Sequence, residues 1–170
     1  MLTTERSKLV TETGPGTPMG SLFRRYWIPF LLAAEVPDPD CPPVRVTLLS
    51  EKLIAFRDSA GRIGLIEEFC AHRRVSLWFG RNEENGIRCP YHGWKYDYTG
   101  QCVEIPSEPE NSDYCKDIKI TSYPCVEKGG IVWAYMGPLE YKPPPPAFEW
   151  TSIPECQFFH SKRWEECNYL

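Results

Sequence analysis

Two short words in this sequence could hold a metal: Cys70-Ala71-His72 and Cys89-Pro90-Tyr91-His92, with residues 73–88 between them. Histidine is scarce, three in 170 residues, and two of the three stand in these words. Thiolates and imidazoles are the ligands of zinc and of iron–sulfur centres. Two cysteines and two histidines can close a tetrahedral zinc site, but zinc fingers usually pair Cys with Cys and His with His at close spacing. Here each pair is mixed, and the first has a single intervening residue. A two-iron centre suits that pattern better: Cys70 and Cys89 meet at one iron, His72 and His92 at the other, and each loop straddles both metals.

Loops that share a metal need a rigid frame, and from Val44 the apolar pattern switches to the period of two that strands require. Residues 44–48 and 53–56 read as strands joined by a turn around Ser50-Glu51-Lys52. Asp58-Ser59-Ala60-Gly61 reads as a hairpin turn into a strand over 63–66, which delivers Cys70. After His92, residues 94–98 and 101–104 flank the turn Thr99-Gly100, and 105–115 reads as an exposed loop. Strands over 118–120, 125–127 and 131–135 follow, the last two joined by Gly129-Gly130. Many short strands at regular spacing predict an all-β sandwich or small barrel.

The flanks read differently. Residues 1–43 form a polar arm in which Thr17 and Pro18 are an N-cap and first-turn residue. The helix they start carries Leu22, Phe23, Tyr26 and Trp27 on one face, ends before Pro29, and leaves Arg24 and Arg25 on its wet side. The run 14–20 has glycines but two prolines and no preceding strand, so it is a turn rather than a phosphate loop. Pro143 to Pro146 make a stiff spacer. The stretch 156–170 is apolar and ends in mid-element; His160 reads as a strand residue within it. Domain boundaries are therefore expected at 1–43, 44–138 and 139–170.

A net charge of −4 argues against nucleic acid or an anionic membrane as partner. No apolar run approaches a membrane span, and the N-terminus, with Glu5, Arg6 and Lys8, does not read as a secretory signal. A cytoplasmic location is expected, with Cys41, Cys102, Cys115, Cys125, Cys156 and Cys167 reduced.

The longer words around the ligands carry a resemblance. Gly16-Thr17-Pro18-Met19-Gly20, Arg24-Arg25-Tyr26-Trp27, His72-Arg73-Arg74, Phe79-Gly80-Arg81-Asn82, Arg88-Cys89-Pro90-Tyr91-His92-Gly93-Trp94, Pro106-Ser107-Glu108-Pro109 and Gly129-Gly130-Ile131-Val132-Trp133-Ala134-Tyr135 resemble the Rieske non-haem iron oxygenases of the phthalate and chlorobenzoate dioxygenase type. The resemblance implies a Rieske-type antiparallel sandwich with an inserted two-loop subdomain, and a [2Fe-2S] cluster on Cys70, His72, Cys89 and His92. It further implies an electron relay from a flavin/iron–sulfur reductase to a mononuclear Fe(II) in a neighbouring subunit of a homotrimer, serving a dioxygenase, monooxygenase or O-demethylase of aromatic catabolism. A free-standing ferredoxin is the alternative. The 2-His-1-carboxylate triad of the second iron needs two histidines, and after His72 and His92 only His160 remains. No catalytic residue is therefore expected in this chain, and the resemblance implies that the Fe(II) domain lies beyond it.

The cytochrome bc branch of the same superfamily carries an extra cysteine in each loop and a serine donor to the cluster. Val75, Tyr91 and Trp94 stand at those positions here. Without them the potential is expected at the low end of the roughly −150 to +300 mV range. Trp78, Phe79 and Trp94 are expected to cover the cluster, and the ligand imidazoles to donate to a carboxylate. For Arg73 and Arg74, contact with the loops and simple solvation stay open.

Overall fold

The computed structural model describes residues 3–109 and 112–163. Among the described residues, ten strands build three antiparallel sheets: β1 (Trp27–Leu32), β2 (Val44–Leu48), β3 (Glu51–Arg57), β4 (Ile63–Glu67), β5 (Arg81–Glu83), β6 (Gly86–Arg88), β7 (Lys95–Asp97), β8 (Cys102–Glu104), β9 (Cys125–Lys128) and β10 (Ile131–Tyr135). The sheet orders are β1-β10-β9, β2-β3-β4 and β5-β6-β7-β8. The all-β expectation holds, and two short helices, α1 (Thr4–Thr11) and α2 (Pro18–Phe23), precede the strands.

The middle sheet explains why one chain can carry two cores. β3 buries four consecutive residues, 53–56, because successive side chains alternate between faces that are both covered. Leu53 and Ala55 enter one core with Leu31, Val36, Leu65, Val132, Ala134 and Met136. Ile54 and Phe56 enter the other, with Ile66, Leu77, Ile87, Trp94, Tyr96 and both ligand-word cysteines. Each fully buried Leu, Ile or Phe contributes about 2 kcal/mol of apolar burial. The metal words thus sit on a packed frame rather than on a free loop.

Turn chemistry sets the registers. Leu48 pairs Glu51, so the β2–β3 hairpin turns on Leu49-Ser50, both at positive φ (45° and 67°), one residue earlier than the sequence suggests. β5 and β6, which the sequence pattern does not announce, form a second such hairpin on Glu84-Asn85 (φ 49° and 63°). Residues 118–120, expected as a strand, contribute only the isolated bridge between Lys119 and Gln101.

The arm departs most from expectation. Thr17 does cap α2, its hydroxyl accepting from the Gly20 N–H at 3.1 Å, but the helix stops at Phe23. Trp27 and its neighbours instead form β1, because pairing with β10 buries Leu31. Pro29 fits there since β1 is an edge strand with a bulge between Pro29 and Leu31. Arg24 is not on a wet side. Its guanidinium, 12% exposed, pairs with Glu51 at 2.5 Å and donates to the Thr13, Gly20 and Leu49 carbonyls, tying the arm to the β2–β3 turn. Arg25 lies over the Tyr141 ring.

His160 belongs to no strand; its ring lies on Gly130, where an added Cβ would come within 2.3 Å of Cε1. The expected mid-element ending extends into residues 164–170, outside the described residues, as does Cys167. The other cysteines are free thiols. Among the described residues no helix is long and apolar enough to cross a membrane.

Candidate metal centre

The two metal words fold into one backbone device used twice. After β4, the Cys70 N–H donates to the Val75 carbonyl (2.9 Å) and the Arg74 N–H to the Cys70 carbonyl (3.0 Å). Between β6 and β7, the Cys89 N–H donates to the Trp94 carbonyl (2.8 Å) and the Gly93 N–H to the Cys89 carbonyl (3.1 Å). Each six-residue turn thus opens on its cysteine and closes through a residue at positive φ: Arg74 at 56°, Gly93 at 77°. At the second, a Cβ would also stand 2.9 Å from Pro106 Cγ, so glycine is required there.

This geometry sorts the four side chains by depth. Cys70 and Cys89 are buried, 1% and 4% exposed, and their thiols are near enough to interact. His72 and His92 are exposed at the rim, ring centroids 4.6 Å apart. Burial, first, and then the Cys70 thiol push the Cys89 thiol up, against the opposing pull of the Tyr91 and His92 backbone N–H groups. The thiols stand in for the thiolates that a metal would select. His72 is held below the ordinary imidazole value, chiefly by desolvation and then by His92 and Arg73, which favours the neutral, ligating form.

Among the described residues, no three His, Cys, Asp or Glu side chains converge as a single-ion site would require. Two pairs, one of buried sulfurs and one of exposed nitrogens, offer the two-cysteine, two-histidine donor set of a binuclear centre.

The surroundings refine the expectations. Trp94 stacks on His72 at 4.7 Å and 6°, with Tyr114 edge-on behind it at 6.4 Å. Trp78 and Phe79 do not share that role: they are exposed, with Arg45 over their rings at 4.1 and 5.3 Å. Tyr91 instead lies against His92, centroids 3.8 Å apart. Neither imidazole hydrogen-bonds a carboxylate among the described residues, and both lie exposed at the rim. Arg74 pairs with Glu67 and lies over the Phe69 ring, and Arg73 is exposed.

Two site residues were not legible from spacing. Tyr96, wholly buried on β7, accepts from the Ala71 N–H (3.1 Å) and places its hydroxyl 3.3 Å from Cys70 Sγ. Since the amide uses an oxygen lone pair, the hydroxyl proton is free to point at sulfur. Arg88 donates from Nη1 to the Gly93 carbonyl (3.1 Å) and to Glu104 Oε1 (2.7 Å), from Nη2 to Glu104 Oε2 (2.8 Å), and from Nε to Glu83 Oε1 (2.5 Å). Its hydrogen bond, ahead of that from Lys95, holds the Glu104 carboxyl down at about 2. In the sequence Tyr96 looks like an ordinary strand position, and Arg88 stands only as the first residue of a word that carries the resemblance.

The description "Rieske [2Fe-2S] domain" matches residues 26–124, more than half of the chain. The chain belongs to that family. The group its fold holds is a Rieske [2Fe-2S] cluster, in agreement with the paired sulfur and nitrogen donors. The chain is 50% identical over 150 residues to the phthalate 4,5-dioxygenase oxygenase subunit of Pseudomonas putida, an alignment that spans 87% of this chain and 34% of the relative. It is 43% identical over 155 residues to the 3-chlorobenzoate-3,4-dioxygenase oxygenase subunit of Comamonas testosteroni, covering 91% and 36%. It therefore spans about a third of the length of these curated relatives. Among solved structures, dicamba monooxygenase with non-heme iron and dicamba is similar at 26% identity and a TM-score of 0.68, over 79% of this chain and 40% of that one.

Proposed function

We propose that Cys70 and Cys89 bind one iron of the cluster through their thiolates, and that His72 and His92 bind the other through imidazole nitrogens. The observation that carries this assignment is the pairing itself, thiols together in the interior and imidazoles together at the rim. Bound there, the cluster supplies a one-electron couple. The chain's own residues do the rest. The Tyr91 and His92 N–H groups and the Tyr96 hydroxyl favour charge on the sulfurs. Trp94 and the packed core exclude water from the inner side. The exposed edges of His72 and His92 leave the outer side open to a partner.

Since the relatives are oxygenase subunits of aromatic dioxygenases, the reading extends to a relay. On it, the domain takes single electrons from a flavin/iron–sulfur reductase. It passes them to a mononuclear iron in the catalytic domain of a neighbouring subunit, in a cytoplasmic homotrimeric aromatic-ring oxygenase. The arm (1–43), the cluster domain (44–138) and a Pro-rich linker with the start of the catalytic domain (139–170) are its parts.

Anaerobic reconstitution with iron and sulfide, followed by metal and acid-labile sulfide analysis, tests the assignment. About two irons and two sulfides per chain are expected; zinc without sulfide refutes it. His92→Cys should still assemble a cluster and titrate at a lower potential, because thiolate favours ferric iron. An unaltered potential in that variant moves the second imidazole ligand elsewhere.

A further inference from the structure

We propose that Arg88 is the positioning residue of the second ligand loop, a side-chain brace that keeps Cys89 and His92 in register with Cys70 and His72. The proposal rests on the ligand assignment above. Arg88 ends β6, one residue before Cys89, and its side chain is only 14% exposed. The guanidinium is planar and carries five donors in a fixed fork. Here that fork reaches three separate pieces of chain: Glu83 on β5, Glu104 on β8, and the carbonyl of Gly93, the residue that closes the ligand turn. Lys95, itself 9% exposed, shares Glu104 at 3.1 Å and Glu84 at 3.0 Å, so the carboxylates are held in place from a second side.

The two loops differ in how they are secured. The first has Glu68, buried below it, accepting from Arg45 Nε (2.9 Å) and Ser76 Oγ (2.6 Å), while the Ala71 N–H is held by Tyr96. Both loops have their two backbone hydrogen bonds, and the second adds the Pro106 contact and Arg88. No disulfide crosses from one loop to the other among the described residues. A charge-assisted, bidentate contact to Glu104 is the strongest non-covalent tie available in such a place. Because the same guanidinium also holds the Gly93 carbonyl, the loop is tied to the sheet that the carboxylates belong to.

Lysine separates bracing from charge. Arg88→Lys keeps the positive charge among Glu83, Glu84 and Glu104, but one ammonium lacks the planar fork that spans Glu104 and Gly93 together. The expected result is a cluster-free protein that melts within a few degrees of the wild type. The reconstituted variant should lose iron and sulfide to a chelator about tenfold faster, the ratio that corresponds to 1.4 kcal/mol. Its reduced-state EPR line positions should be shifted, which loss of general stability would not cause. If the variant melts well below the wild type, the line positions of its loaded fraction decide: shifted lines support the brace and unchanged lines overturn it. Chelator loss within a factor of about two of the wild type, with the same EPR spectrum, refutes the brace alone, since that factor is well under 1 kcal/mol. A wild type that takes up no labile sulfide refutes the ligand assignment, and the brace with it.

Discussion

Tyr96→Phe isolates one hydrogen bond to one sulfur. The ring is wholly buried, so phenylalanine fills the same space and no water can replace the lost hydroxyl. The Ala71 N–H, which now donates to Tyr96 Oη at 3.1 Å, belongs to an exposed residue and can turn to solvent. What disappears is the hydroxyl 3.3 Å from Cys70 Sγ. A hydrogen bond to a charged group contributes about 1.5–3 kcal/mol in all. Only the part that strengthens on reduction, when the sulfur carries more charge, moves a potential. Taking that part as about 1 kcal/mol, and about 59 mV per tenfold change for one electron, the midpoint falls by about 40 mV. The direction follows from chemistry: a donor stabilises the electron-rich state, and removing it makes reduction harder. Burial, ahead of Cys70 itself, keeps this phenol protonated far above neutral pH, so the shift should be the same across the neutral range. Redox titration of wild type and variant, followed by visible circular dichroism or EPR, measures it. A midpoint that is unchanged or raised refutes the placement of Tyr96 as donor to a ligand sulfur.

Two further perturbations test the frame. The Glu104 carboxyl, held at about 2 by Arg88 and then Lys95, contributes stability above its ordinary value near 4.5, and that contribution is lost as pH falls from there toward 2. The side chain is 41% exposed, so solvent screening leaves about 1 kcal/mol. Melting curves between neutral pH and acid should therefore converge for wild type and Glu104→Gln; parallel curves refute the assignment. Gly93→Ala meets both a positive φ of 77° and Pro106 Cγ at 2.9 Å, and should cost about 2 kcal/mol. Gly61→Ala, at φ 80° with nothing within 4 Å, should cost about half as much. Denaturant unfolding of the two variants checks the difference, and equal losses would remove Pro106 from the account.

The strands legible in the sequence were those with a single strong pattern. Residues 44–48, 63–66 and 131–135 alternate or form short apolar runs between turn residues, and they fold as read. The patterns that failed depended on partners. Residues 22–27 look amphipathic at helical spacing, yet Trp27 joins a strand because β10 offers an edge to pair with. β5 and β6 are three residues each, too short to carry a period, and exist because Glu84-Asn85 adopts a hairpin turn and β7 completes the ladder. Arg24 looks like a surface cation until Glu51 and the Thr13, Gly20 and Leu49 carbonyls close around it.

The sequence by itself determined the chemistry on offer: two thiols and two imidazoles in mixed pairs, too few histidines for a second iron site, and a frame of short strands. Ligand type and spacing are local properties, and a reader of the chain sees them directly. Depth and second contacts belong to the tertiary structure alone. It decided that the thiols are buried and the imidazoles exposed, that Trp94 rather than Trp78 or Phe79 covers a ligand ring, and that Tyr96 and Arg88 serve the site. Those contacts join residues brought together by sheet register and by a turn closed at positive φ, and no spacing along the chain encodes a distance across a sheet.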